Sequence, residues 1–500
     1  MSENAPTPAE PTLQRHFGLW QATALNVTMI VGAGVFATIP FMVKELPGPY
    51  ALLGWVIGAL LMFFDGMIWS ELGATMPGSG GTSLYLLESY GPKKMGRAMS
   101  FLFIWQFLIS GPLEIGSGLI ALATFARNLT PGFQKFDERL SFNKTLAISE
   151  PRHVFGIDIE PMDVIGVGTS PAQWLSFGLG ILVIFLLYRR ITTLGRLTVL
   201  LWLGVLAAMG WILMEGAVRF DPKVVFSFSG APATGPGNFA HKLSATMFLA
   251  MYSYFGYYSV CYIGDEVRAP GKTIPRSIFL SVLIVGIMFV GLHLALVSVV
   301  PWREIPTDDE KLKSFSLSAE FMQRIYGDGS RAATLITLLL IGSCFGSVFA
   351  GMLGYSRIPF GAARQGHFFS VFGAVHPRHR IPHVGLFLVG ALTLFWSFFD
   401  LQNVITALIV TRILEQFVAQ IIGVMILRRT QPDRPRPYRI WLYPLPCLLA
   451  LAGWLFLYVT SGIVFILLGL ATLTLGIGAF LLWANATKTW PFVGPASVEA

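Results

Sequence analysis

The sequence predicts an all-α integral membrane protein with about twelve transmembrane helices. Of its 500 residues, 54% are hydrophobic and 12% charged, about half the charge of an ordinary soluble domain, and the mean hydropathy is +0.65. Apolar runs of about 20 residues, the length that crosses a bilayer, recur from end to end. Positive charge collects in alternate connections, as it does when alternate loops face the cytoplasm.

Candidate spans lie near residues 20–42, 50–75, 97–126, 172–188, 194–216, 242–264, 277–300, 332–355, 383–399, 402–427, 440–459 and 462–484. The polar stretch "MSENAPTPAEPTLQRH" ahead of them lacks the basic, apolar and small-residue pattern of a cleaved signal, so the first span is expected in the mature chain. With both termini cytoplasmic, the inner loops hold Lys93, Lys94 and Arg97, then Arg189, Arg190 and Arg196, then Arg268, Lys272 and Arg276. Arg357, Arg364, Arg378 and Arg380 follow, and then Arg428, Arg429, Arg434, Arg436 and Arg439. The short outer loops are nearly bare, and the long ones around 127–171 and 301–331 mix acids with bases. Every inner loop obeys the positive-inside rule, and the plasma membrane is the expected location. This asymmetry accounts for the formal charge of +8, which is no argument for nucleic acid. Cys261, Cys344 and Cys447 each fall in an apolar segment and read as buried free thiols. No phosphate-binding glycine loop, metal-ligand cluster or nucleophile–base arrangement stands out, so no enzyme, cofactor or metal site is expected.

Two segments are weakened where a helix should be strongest. "MIVGAGVFATIP", residues 29–40, places Gly32 and Gly34 inside the first span, each costing about 1 kcal/mol of helix stability relative to alanine. The sixth, "FLAMYSYFGYYSVCYIGDE", residues 248–266, has Ser253 and Gly256 at its centre. With five spans per unit, these segments are equivalent positions of two consecutive repeats, the pattern of inverted-repeat transporters with a site at the bilayer midplane. Close packing of helices through small residues accounts for the glycines equally well.

The run "ELGATMPGSGGTSLYL", residues 71–86, resembles the signature after the second span of the amino acid-polyamine-organocation transporters. "GDEVRAPGKTIPRSI" (264–278), with Glu266, Pro270, Pro275 and Arg276 in matching places, is similar to that family's stretch after span six. "YSRIPFGAARQG" (355–366) resembles its loop after span eight, and "GAGVF" its broken first span. The matches run in order through about ten spans, while the last two are matched by hydropathy and by "RPRPYRIWLYPLP" (434–446). The resemblance implies a LeuT-like fold, shared with sodium-coupled neurotransmitter symporters, of two inverted five-helix repeats plus two extra helices. Its boundaries here would be a cytoplasmic tail over 1–19, repeats over 20–216 and 217–429, the added pair over 430–484, and a second cytoplasmic tail over 485–500. It also implies a secondary transporter, a symporter or exchanger, that moves an amino acid or related amine by alternating access.

On that fold the backbone N–H groups of Ala33 and Gly34, beside Gly32, would meet a substrate carboxylate at the positive end of a helix dipole. Carbonyls of Ile30, Tyr252 and Phe255 would take the ammonium. Matching motifs position by position adds Ser253 and Tyr254 from span six, Phe107, Gly111 and Ile115 from span three, and Phe349 from span eight. None is acidic, which favours a neutral amino acid. Transport of a polyamine or cationic amino acid, and ligand sensing without transport, are the alternatives. Ionisable groups within spans cost about 3 kcal/mol at mid-bilayer and are seldom idle. They are Asp65, Glu114, Arg412 and Glu415. Arg412 and Glu415, three residues apart, are expected to form a local pair. Glu114, about 24 Å of helix rise from the inner end of its span, is the leading candidate for coupling to a proton or sodium, with Asp65 and Arg412 also in view. Many family members carry a lysine on span five where the sodium-coupled relatives hold sodium. This chain has none between Arg196 and Lys223, and the driving ion stays open.

Overall fold

The computed structural model describes residues 15–78, 80–147, 152–154, 157–159, 164–189, 194–229, 236–379 and 381–489. The ends of both expected tails, Arg190 and Arg380 lie outside them. Eight helices among the described residues are long and apolar enough to cross a bilayer, and a bent pair makes a ninth. That pair is α1 (Leu19–Ile30) and α2 (Gly34–Glu45), which meet at 56°. Then come α3 (Leu52–Thr75), α4 (Gly96–Arg127), α5 (Pro171–Tyr188), α6 (Leu194–Val218) and α7 (Pro236–Tyr254). The remainder are α8 (Pro270–Val299), α9 (Arg331–Tyr355), α10 (His383–Trp396), α11 (Leu401–Arg412), α12 (Ala419–Thr430), α13 (Leu445–Thr460) and α14 (Ile463–Ala486).

Local chemistry sets many of these ends. Ser170 and Ser330 accept from Gln173 N and Ala333 N and so cap α5 and α9, meeting donors that a helix start leaves free. Three candidate spans differ from expectation. The helix expected through residue 264 stops at Tyr254, because Gly256 takes a φ of +111° that side-chain-bearing residues rarely adopt. The segments near 383–399 and 440–459 form helices of 14 and 16 residues, entered from Pro382 and Pro444, below the ~20 residues of a full crossing. Between α11 and α12 the chain runs as a π-helix over Ile413–Val418.

The long connection after α4 is more ordered than a charged loop suggests. It contains a short helix, Pro131–Leu140, and an antiparallel ladder that pairs Phe142–Ala147 with Val164–Thr169. Asp137 is fully buried there, 2.5 Å from Arg127 Nε, and accepts from Ala172 N at 2.7 Å. All three cysteines are free and buried.

The α3–α8 and α4–α9 pairs form much of the bundle, with α11 against α4. The motif residue Glu71, near the end of α3, is buried and clamps this bundle to the last turn of α12 and the arginine-rich segment after it. Arg428 donates to both its oxygens, Ile440 N donates at 2.8 Å, and Arg436 Nε lies 3.6 Å away. Removing one partner of a buried pair costs about 3–5 kcal/mol. Glu71→Ala is therefore expected to lower the unfolding temperature of the detergent-solubilised protein sharply in a thermal melt. An unchanged melt would mean that the clamp carries no stability.

Candidate functional site

The two interrupted helices touch at their breaks. An added Cβ at Gly256 would stand 2.9 Å from the carbonyl carbon of Met29, so glycine there permits the end of α1 to approach the turn after α7. Asn26, fully buried in α1, stitches the same junction. Its Oδ1 accepts from Val260 N at 2.9 Å, and its Nδ2 donates to Ser281 Oγ of α8 at 3.4 Å. On the other side of the break, an added Cβ at Gly34 would lie 3.0 Å from Cε1 of Tyr252 and 3.3 Å from its hydroxyl oxygen. Helix geometry leaves the last carbonyls of α1 and the first N–H groups of α2 without partners in their own helices.

A cavity of about 210 Å³ opens between these ends. Ile30, Gly32, Ala33 and Gly34 line it from the first break, Tyr252, Ser253 and Phe255 from the second, and Glu114 and Ile115 from α4. The Tyr252 hydroxyl shares a hydrogen bond with Ser117 Oγ at 2.8 Å, and Ser117 Oγ donates to Glu114 O at 2.6 Å. Ser253 Oγ is 3.2 Å from Thr38 Oγ1, which ties α7 to α2.

Glu114 Oε2 lies 2.6 Å from Arg412 Nη2. The buried guanidinium also donates from Nε to Ser110 Oγ at 3.1 Å and stands over the rings of Phe255 (5.4 Å) and Phe107 (5.6 Å). This corrects the expected local pair of Arg412 with Glu415. The π-helix begins immediately after Arg412, and its wider turn takes residues three apart off a common face. Glu415 is left buried within the π-helix.

A family described as "Amino acid permease" matches residues 17–476. The chain belongs to that family. The human cystine/glutamate transporter is 27% identical over 86% of this chain and 77% of its own length. A serine/threonine exchanger of Bacillus subtilis (strain 168) is 26% identical over 88% and 90%, and a branched-chain amino acid permease of the same organism 24% over 96% and 95%. This permease is thus a secondary amino acid transporter of the amino acid-polyamine-organocation superfamily and not an enzyme.

The remaining residues singled out from sequence stand around the permease's cavity without lining it. Phe107 meets Tyr355 edge-on at 4.8 Å, and Gly111 leaves room for both rings. Phe349 packs in an apolar cluster with Leu119 and Met352. Tyr254 turns away, donating to Trp55 O at 3.3 Å. Asp65 is fully buried and accepts from Tyr257 Oη and, at 3.1 Å, from Trp454 Nε1. Sequence reading missed Trp202 of α6 and Ser343, Ser347 and Tyr355 of α9, all of which line the cavity. The small and polar run "GSCFGSVFAG", residues 342–351, was the available signal for the serines. Gly34→Leu is expected to yield a folded permease, judged by size-exclusion chromatography, that loses amino acid-induced thermal stabilisation. Stabilisation equal to that of the wild type would rule out a ligand at this break.

Proposed function

We propose that the permease carries a neutral amino acid through the cavity between its two broken helices by alternating access. The observation that carries this reading is the juxtaposition of the interrupted ends of α1, α2 and α7 around one small chamber. The start of α2, at Ala33 and Gly34, suits a carboxylate. Carbonyls of Ile30, Tyr252 and Phe255 suit an ammonium. Glu114 is the acid lining the chamber among the described residues, and Arg412 already balances it. A cationic side chain would find no free counter-charge there. The serine/threonine exchanger and the branched-chain amino acid permease are named for neutral amino acids, in line with this reading.

The proposal includes twelve spans in two inverted five-helix repeats with an added pair, and cytoplasmic termini in a cell membrane. It is supported by the matching breaks in α1–α2 and after α7, and by basic residues in every inner loop. A second cavity of about 520 Å³ lies beside the Glu45 end of α2, lined by residues including Lys44, Arg127, Asp309 and Asp400. Counterflow of labelled leucine in proteoliposomes, competed by an unlabelled panel, tests the substrate class. Leucine, alanine, serine or phenylalanine is expected to compete much more strongly than arginine, putrescine or spermidine. Strong competition by a polyamine alone would reverse the assignment, and binding without counterflow would indicate a sensor.

For coupling we infer that Glu114 serves as the fixed partner of Arg412. On this reading Glu114→Gln loses thermal stability, exchange and accumulation together, and the added change Arg412→Met restores stability but not transport. Exchange that survives Glu114→Gln while pH-driven accumulation disappears would instead make Glu114 a proton carrier. Accumulation that follows a sodium gradient and ignores pH would place the coupling ion elsewhere.

A further inference from the structure

A concave surface on the outside of the bundle has no part in the transport reading. It is an apolar groove of about 1210 Å³ between α3 and α8. Ala59, Gly286 and Gly291 hollow it, while Leu60, Leu283 and Ile287, each at least half exposed, wall it. Charge is confined to one end. Lys272 and Arg276 stand one turn apart near the start of α8, both exposed and in no ion pair among the described residues. Trp441, 60% exposed and stacked 6.2 Å from Phe279, marks the same end, as tryptophans do at a membrane interface. From Arg276 to Ile287 the helix rises about 16 Å, one leaflet's share of a hydrocarbon core of about 30 Å.

An exposed apolar face in a bilayer is met by acyl chains. Two unpaired cations at the interfacial end of a groove deep enough to seat such a chain add a headgroup preference. We propose that this groove is a binding site for an anionic glycerophospholipid, with its chains along Leu283 and Ile287 and its phosphate on Lys272 and Arg276. A cation beside an anionic headgroup is worth about fivefold in affinity, so the two together set a preference of about twenty-five-fold over a zwitterionic lipid of the same chains. The site adjoins both interrupted helices: Tyr254, the last residue of α7 before its break, forms part of the groove wall, and α8 packs along α1.

Native mass spectrometry of the purified full chain, titrated with palmitoyl-oleoyl phosphatidylglycerol or with the matching phosphatidylcholine, tests the site. The wild type is expected to retain phosphatidylglycerol about twenty-five-fold better. The double variant Lys272→Ala, Arg276→Ala is expected to lose that preference while still retaining phosphatidylcholine. A control, Lys93→Ala with Lys94→Ala, should keep it, and Gly286→Leu should lower retention of both lipids by filling the floor. Equal retention of the two lipids by the wild type overturns the proposal, as does an unchanged preference in the Lys272/Arg276 variant or an equal loss in the control. A species of twice the mass that Gly286→Leu abolishes would assign the groove to a second copy of the chain and also overturn it.

Discussion

A bilayer core supplies no hydrogen bonds, so each backbone N–H and C=O released by a break in a helix has to be met by the protein or by what fills a cavity. That constraint organises the centre of this molecule. Two breaks far apart in sequence are brought together at Gly256 and Met29. One of the freed donors, Val260 N, is taken by the Asn26 side chain, and residues of both breaks line a shared chamber. A polar side chain fully buried at mid-helix would be costly alone. Asn26 is held by bonds to both α8 and the turn after α7.

Buried charge follows the same logic of distant partners. Asp65 joins α3 to Tyr257, just beyond the second break, and to Trp454 in α13. Glu71 joins α3 to Arg428 in the last turn of α12 and to Ile440 beyond it. Glu114 joins α4 to Arg412 at the end of α11. Each carboxylate fixes an element that packing among apolar helices would leave free to slide, because neighbouring lipid competes equally well for apolar surface. Together they clip much of the bundle around the breaks.

The breaks themselves were legible in the sequence, since glycine inside a long apolar run is a local cost with a local signature. Glu71 was legible as part of a motif, though not its partners, which lie more than 350 residues on. The i,i+3 rule failed at Arg412 for a definite reason: it assumes 3.6 residues per turn, and the chain leaves α-helical geometry at Ile413. Phe107, Gly111 and Phe349 were matched by position to the family's pattern, and they stand one layer behind the cavity surface. Tyr355 and Trp202 fill that surface instead. Hydropathy windows likewise located α10 and α13 but not their short lengths, which proline-bounded entries determine.

The π-helix also bears on selectivity. It begins directly after Arg412, whose guanidinium sits against Glu114 and over the faces of Phe107 and Phe255. An aromatic ring in a wall is ordinarily an invitation to a cation, and an acid in the same wall a stronger one. Here one arginine occupies the acid and the Phe255 ring. On the proposed reading, the chamber therefore discriminates against a cationic side chain by neutralising its acid and by engaging the Phe255 ring of its lining.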